Sequence, residues 1–305
     1  MIKIGAGIIV AAVVASPAIA AETDAKAGSH AFGGDVFYSS DSEHSETLKL
    51  GLDFDLRWDG PADRLGLRVE RARFSPLGQR GKTMERVYVR IADDDKAWKW
   101  DVLAGSDGHT ALGSASIHND ALIRQEYFLE REIVETPIGI SKRLYSTFAG
   151  AAVDVPLNER NVVTLVGGLQ EFTGDNIRTH LRATYVHVVK PELGLSVQLR
   201  GRYFRNSDPR EYDYYSPRYY AEVLPVVQVR RFVGGWQLLA AGGYGVQRDS
   251  GRNWRSARYA NLRVVSPKFQ KDWAANAALI YSNTPTSNNF AYSYLQLNFG
   301  LAKSF

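Results

Sequence analysis

Residues 47–58 alternate without a break. Leu48, Leu50, Leu52, Phe54, Leu56 and Trp58 are apolar, and Lys49, Gly51, Asp53, Asp55 and Arg57 between them are polar or small. A period of two predicts a β-strand with one oily face, because the 100° step of a helix would mix the two sets. The pattern recurs along the chain. Leu65, Leu67 and Val69 alternate with Gly66, Arg68 and Glu70; Val87, Val89 and Ile91 alternate with Arg86, Tyr88 and Arg90. Leu195, Val197, Leu199 and Tyr203 alternate with Gln198, Arg200 and Arg202, and Trp273, Ala275, Ala277, Leu279 and Tyr281 share one face. In the last stretch Leu295, Leu297, Phe299, Leu301 and Phe305 oppose Tyr292, Tyr294, Gln296, Asn298, Gly300 and Ala302.

Read this way, the chain holds sixteen strands. The first eight span 30–40, 46–58, 64–74, 82–92, 97–105, 109–117, 122–134 and 141–154. The rest span 162–172, 177–190, 194–206, 217–230, 235–248, 254–266, 272–283 and 289–305. The sixth is small and polar over Ala111 to Ile117, so fourteen is the alternative count. Short turns follow even-numbered strands, as at residues 59–63, 156–160, 190–194 and 233–235. Longer connectors follow odd-numbered strands, at 40–46, 75–82, 207–216 and 282–289. Short turns on one side and long loops on the other predict an all-β fold, a transmembrane antiparallel β-barrel of about sixteen strands. An even strand number puts both termini on one, periplasmic, side, and closure leaves no sheet edge in lipid.

The start of the chain agrees. Lys3 precedes an apolar run over 4–15 and then Ser16-Pro17-Ala18-Ile19-Ala20, which predicts a secretory signal peptide over 1–20 and a barrel over 21–305. That run is shorter than the roughly 20 residues of a spanning helix. Charged residues make up 23% and the net charge is +4; a barrel tolerates such a composition because only alternate residues meet lipid. Nothing in this balance suggests a nucleic-acid partner. With no cysteine, disulfides, thiol nucleophiles and lipid anchors on sulfur are excluded. Aromatics at 11%, with 16 Tyr, suit two interfacial girdles.

Function is expected on the inward positions. Arg57, Arg68, Arg90, Arg182, Gln198, Arg200, Arg202, Tyr220, Glu222, Gln228, Arg230, Arg263, Tyr292 and Tyr294 have that parity and are the candidate pore-lining residues. The arginines of the tenth to twelfth strands are candidates for setting which solutes pass; the alternative is a solvated, salt-bridged wall. The six His are scattered, with no metal-ligand spacing and no catalytic pairing, so neither enzyme chemistry nor a cofactor is expected. The Asp93-Asp94-Asp95 run reads as a hydrophilic turn.

Tyr214-Tyr215-Ser216-Pro217-Arg218-Tyr219-Tyr220, followed by Leu224-Pro225-Val226 and Trp236, resembles a stretch of the cellulose-export porin, the C-terminal barrel of cellulose synthase operon protein C. The likeness covers roughly residues 177–305, and the chain is similar also to the poly-N-acetylglucosamine porin. The resemblance implies a sixteen-stranded exopolysaccharide export barrel in the outer membrane of a Gram-negative bacterium, with a glycan as substrate. A general or small-solute porin is the runner-up, and a structural barrel or rim enzyme the third reading. Those relatives carry a tetratricopeptide scaffold ahead of the barrel, and no such repeat is found here. A separate periplasmic scaffold and an inner-membrane synthase are then the implied partners, besides outer-membrane lipid. The last strand resembles the closing strand of outer-membrane barrels, which implies that Phe299, Leu301 and the terminal Phe305 form the signal read by the barrel assembly machinery.

Overall fold

The computed structural model describes residues 29–42, 45–94, 97–267, 272–284 and 293–305. The expected signal peptide over 1–20 and Tyr292 lie outside them. In chain order the elements are β1 (Ser29–Asp41), β2 (Glu46–Trp58), β3 (Arg64–Ser75), β4 (Lys82–Asp93), β5 (Trp98–Ser106), β6 (Ala111–Asn119) and β7 (Arg124–Ile133). There follow a short helix, α1 (Pro137–Lys142), then β8 (Tyr145–Asn158), β9 (Asn161–Phe172), β10 (Ile177–Lys190) and β11 (Leu195–Asn206). The last five are β12 (Tyr219–Val233), β13 (Trp236–Asp249), β14 (Arg252–Val265), β15 (Trp273–Ser282) and β16 (Tyr294–Ser304). Every strand is antiparallel to its chain neighbours, and β1 pairs with β16 to close the barrel. The small, polar sixth segment is a strand bonded on both sides, which settles the count at sixteen.

The start of β1 meets the end of β16. His30 N–H donates to the Phe305 carbonyl at 3.2 Å, and Phe305 N–H to His30 at 2.9 Å. The end that carries them, with the short turns, is the periplasmic one. Leu50, Leu52, Phe54, Leu67, Val69, Leu199, Leu297 and Phe299 are exposed on the outside, as a wall against hydrocarbon requires. Aromatic pairs on the same surface, Trp98 with Tyr127 (6.2 Å) and Trp236 with Trp273 (5.6 Å), mark the periplasmic girdle.

Two local expectations are corrected. Between Asp55 and Arg57 the register of β2 with β3 shifts, so that Asp55 faces Gly66 and Arg57 already faces Leu65. A bulge re-aims every later side chain of its strand. Trp58 therefore turns inward at 3% exposure, while Arg57 is 51% exposed and pairs with Asp63 at 3.0 Å. Arg57 belongs to the periplasmic rim and does not line the pore. The second correction is α1. The eighth strand, expected from residue 141, begins at Tyr145, because Thr136 caps a helix whose first residue is Pro137. Arg143, with φ of 58°, ends it.

Candidate pore interior

The inward face divides into two unlike walls. On β2, β3 and β4, acid and base stand opposite each other by register: Asp53 faces Arg68, and Glu70 faces Arg86. These join one lattice. Arg68 pairs with Glu70 (2.9 Å), Asp53 (3.1 Å) and Asp35; Arg86 pairs with Glu70 (3.1 Å) and Glu132 (2.8 Å). Arg90 binds Asp53 and Asp55, and Arg64 binds Asp101. Lys49 of β2 reaches Glu132 of β7 at 3.2 Å and Glu135 just beyond it at 2.7 Å, a strut between strands that are not neighbours. Charges removed from water persist only when paired, and removing one partner leaves the other uncompensated. Arg86 is fully buried, Arg68 nearly so. The expectation that Arg68 and Arg90 line open space is corrected: they brace the wall.

Above this lattice the outer mouth is partly closed. Ile140 of α1 packs with Phe74, Met84, Tyr88, Leu103 and Leu112 on β3–β6. The β11–β12 loop also folds in, four strands further round the barrel. Tyr214 stacks on Phe172 with ring centroids 4.2 Å apart and planes at 8°, receives a hydrogen bond from Asn176 (3.0 Å) and donates to Glu211 (3.0 Å). Tyr215 donates to Asp249 at 2.6 Å. Burial, reinforced by Glu211 beside Tyr214 and Asp249 beside Tyr215, raises both phenols above their ordinary range, so both remain donors at neutral pH. Asp213 then ties the two intrusions together, accepting from Thr136 Oγ1 and Ile138 N–H, both at 2.7 Å. The Tyr-Tyr-Ser-Pro segment is thus the anchor of an inward-folded loop.

The second wall runs over β10–β14. Arg178 lies between the rings of Phe172 (4.8 Å) and Phe204 (4.6 Å). Arg202 lies over Tyr220 at 4.9 Å and 3.7 Å from Glu222 Oε2. Arg200 lies over Tyr259 at 4.7 Å and donates from Nε to Gln198 at 2.9 Å. Arg182 and Arg202 are direct register partners, and Arg230, Leu239 and Arg263 form one cross-strand row. Gly243 is the register partner of Tyr259, and a Cβ there would come within 2.8 Å of Val226. Leu224 and Val226 of the Leu-Pro-Val segment are buried inward, and Pro225 faces outward, where the β12–β13 ladder is interrupted.

Most candidate lining residues fall on this second wall: Arg182, Gln198, Arg200, Arg202, Glu222, Gln228, Arg230 and Arg263. Tyr294 is half-buried at the outer end of β16. Tyr220 is inward but fully buried, packed on Phe204 and hydrogen-bonded to Glu222, so it supports Arg202 and does not line open space. Glu132, Glu135, Arg178, Asp213 and α1 were not expected; only the Thr136-Pro137 pair announced any of them. Phe299, Leu301 and Phe305 all face outward, Phe305 at 70% exposure.

No known family profile matches the chain, and no curated protein matches it in sequence. In structure it is similar to a barrel described as a bacterial polysaccharide outer membrane secretin. That likeness has a TM-score of 0.67 and 13% identity, and covers 92% of this chain and 100% of the other. The chain has the fold of an outer-membrane β-barrel. Looser similarities reach OccK5 (OpdH) of Pseudomonas aeruginosa (TM-score 0.44, 11% identity, 92% and 98% coverage) and OmpT of Vibrio cholerae (0.43, 9%, 93% and 99%). Fold and apolar outer band together place this barrel in the outer membrane of a Gram-negative bacterium.

Proposed function

We propose that this outer-membrane barrel is a channel that passes a secreted exopolysaccharide. The observation that carries the reading is the correspondence with the polysaccharide secretin barrel over that barrel's whole length. The second wall supports it. Arg200 spread over Tyr259 beside Gln198 offers a flat face and planar donors and acceptors, the groups that hold sugar rings and hydroxyls. In this reading the barrel assigns no catalytic step to its own side chains, and a cofactor has no role. An inner-membrane synthase and a separate periplasmic scaffold supply the polymer from below, and the assembly machinery inserts the barrel through its last strand. The test is deletion of the gene in its host. Polymer in the medium should fall and polymer in the periplasm should rise, with both restored by the gene in trans; unchanged secretion would remove the export role.

A further inference from the structure

Three strands carry arginine on the face that meets lipid. Arg205 of β11, Arg248 of β13 and Arg258 of β14 are exposed and share outward parity with Leu199, Tyr203, Val246 and Leu262. Their height follows from the strand geometry. Trp236 marks the periplasmic girdle, and Tyr244 is eight residues further along β13, roughly 26 Å of strand or about 20 Å of height at the usual tilt. Arg258 is the register partner of Tyr244, and Arg248 is four residues beyond Tyr244. The apolar band is roughly 25 Å tall, so these guanidiniums stand at its outer boundary and above, among the headgroups. We infer that the outer face of β11–β14 binds the phosphorylated glycolipid of the outer leaflet, lipopolysaccharide, its headgroup on Arg248 and Arg258 and one acyl chain in a hollow below them. The inference rests on the outer-membrane location and is independent of the cargo.

Three observations carry it. The first is charge without an answer in the protein. β11–β14 present no outward acidic side chain, and no carboxylate among the described residues pairs with Arg205, Arg248 or Arg258. Two outward arginines elsewhere are answered internally: Arg71 faces Glu85 across β3 and β4, and Arg231, at the periplasmic end, donates to the Glu192 carbonyl at 2.8 Å. A guanidinium on a lipid-facing wall is tolerated where its head reaches the interface, and phosphate is the anion there that its planar fork binds.

The second is spacing. Arg248 and Arg258 sit on adjacent strands, four residues apart in register, which is about 13 Å. That separation suits a disaccharide headgroup with a phosphate at each end, whereas a lipid with one phosphate would engage one arginine. The mostly exposed rings of Tyr244 and Trp254 flank the pair as interfacial aromatics.

The third is a place for a chain. Tyr244 also borders a hollow of about 520 Å³ in the wall, lined from the lipid side by Val197, Pro225, Val227 and Gly242, with the inward Tyr259 behind. The β12–β13 ladder is interrupted at Pro225, which has no N–H to give it, and a Cβ on Gly242 would meet nothing within 4 Å. Gly242 is two residues nearer the periplasm than Tyr244, so this apolar hollow opens to hydrocarbon beneath the arginine pair.

The test uses the refolded, delipidated barrel in detergent, with bound lipid counted by native mass spectrometry. Bisphosphorylated hexa-acyl lipid A should bind as a single copy at a concentration about tenfold or more below that of its dephosphorylated form or of phosphatidylglycerol. Arg248→Gln/Arg258→Gln should lose that preference with heat-modifiable folding and conductance unchanged, and Arg248→Lys/Arg258→Lys should keep part of it. Gly242→Phe, which fills the hollow, should weaken binding while preserving the preference for phosphate. Equal binding of the phosphorylated and dephosphorylated forms by the wild type, which needs no variant to fold, would overturn the headgroup site. Equal binding of phosphatidylglycerol would overturn the glycolipid in favour of any anionic lipid. Full preference in the double Gln variant would overturn the assignment to these arginines, and unaltered binding by Gly242→Phe would overturn the acyl hollow.

Discussion

Asp213 holds Thr136. One carboxylate on the β11–β12 loop takes a 2.7 Å hydrogen bond from the Thr136 hydroxyl and another of the same length from Ile138 N–H. It thereby caps α1 and fastens it to the β11–β12 loop at the outer mouth. A six-residue helix has no independent stability, so its position depends on such contacts. Asp213→Ala should release α1 and the loop and raise single-channel conductance, with little change in barrel unfolding because the strands are untouched. Asp213→Asn, which keeps an acceptor, should fall between. Identical conductance in all three proteins would show that these loops do not restrict the path.

The ion lattice should dominate barrel stability. Arg86→Gln removes one of two cations from each of Glu70 and Glu132, which keep Arg68 and Lys49, at a cost of about 1–3 kcal/mol. Gly51→Ala should act on the same lattice indirectly, because a Cβ on Gly51 would fall inside the Arg68 guanidinium. Displacing Arg68 from Asp35, Asp53 and Glu70 should cost about 1–3 kcal/mol. Denaturant unfolding in detergent micelles, read by the gel shift of heat-modifiable migration, measures both.

The side-chain alternation that predicted the barrel also predicts where charge is tolerated. Leu52→Arg and Leu199→Arg, each exposed to lipid in mid-strand, should cost about 2–4 kcal/mol. Asn298→Arg, on the lumen face of β16, should cost much less. Asp53 is unsuitable as the inward control, because its carboxylate is engaged by Arg68 and Arg90. Equal losses at Leu199 and Asn298 would contradict the facing.

What the sequence disclosed follows from how each feature is encoded. Alternation is local, so Leu48–Leu56, Leu195–Tyr203 and Leu295–Phe305 declared their strands and faces, and turn lengths declared the two ends. The bulge after Asp55 adds no residue type that marks it, and the apolar Trp58 continued the pattern while the backbone reversed it. Most of α1 lies in the connector between the seventh and eighth predicted strands, where the Thr136-Pro137 cap is its one local signal, and the eighth strand is predicted four residues early, from Ser141 instead of Tyr145. Asp213 meets Thr136, and Lys49 meets Glu132, only through tertiary structure. The arginines of β10–β12 were visible as a set, but Tyr259 beneath Arg200 and the phenyl rings around Arg178 were not.

The proposed reading of the last strand by the assembly machinery makes a separate prediction. Phe305→Ala preserves both backbone hydrogen bonds to His30 and removes a ring that is mostly exposed. Insertion yield should fall severalfold, while barrels that do insert unfold at the wild-type temperature. Deleting Phe305 outright should lower both, since the hydrogen bonds to His30 are lost as well. Wild-type insertion of Phe305→Ala would remove the ring from the assembly signal.

The central claim is that the barrel interior is a path for a glycan chain, and single-channel recording of the refolded protein tests it most directly. The account predicts discrete conductance steps that linear oligosaccharides interrupt in a length-dependent manner, longer chains dwelling longer. A barrel that folds, inserts and conducts ions while oligosaccharides of every length leave its current unchanged would contradict it.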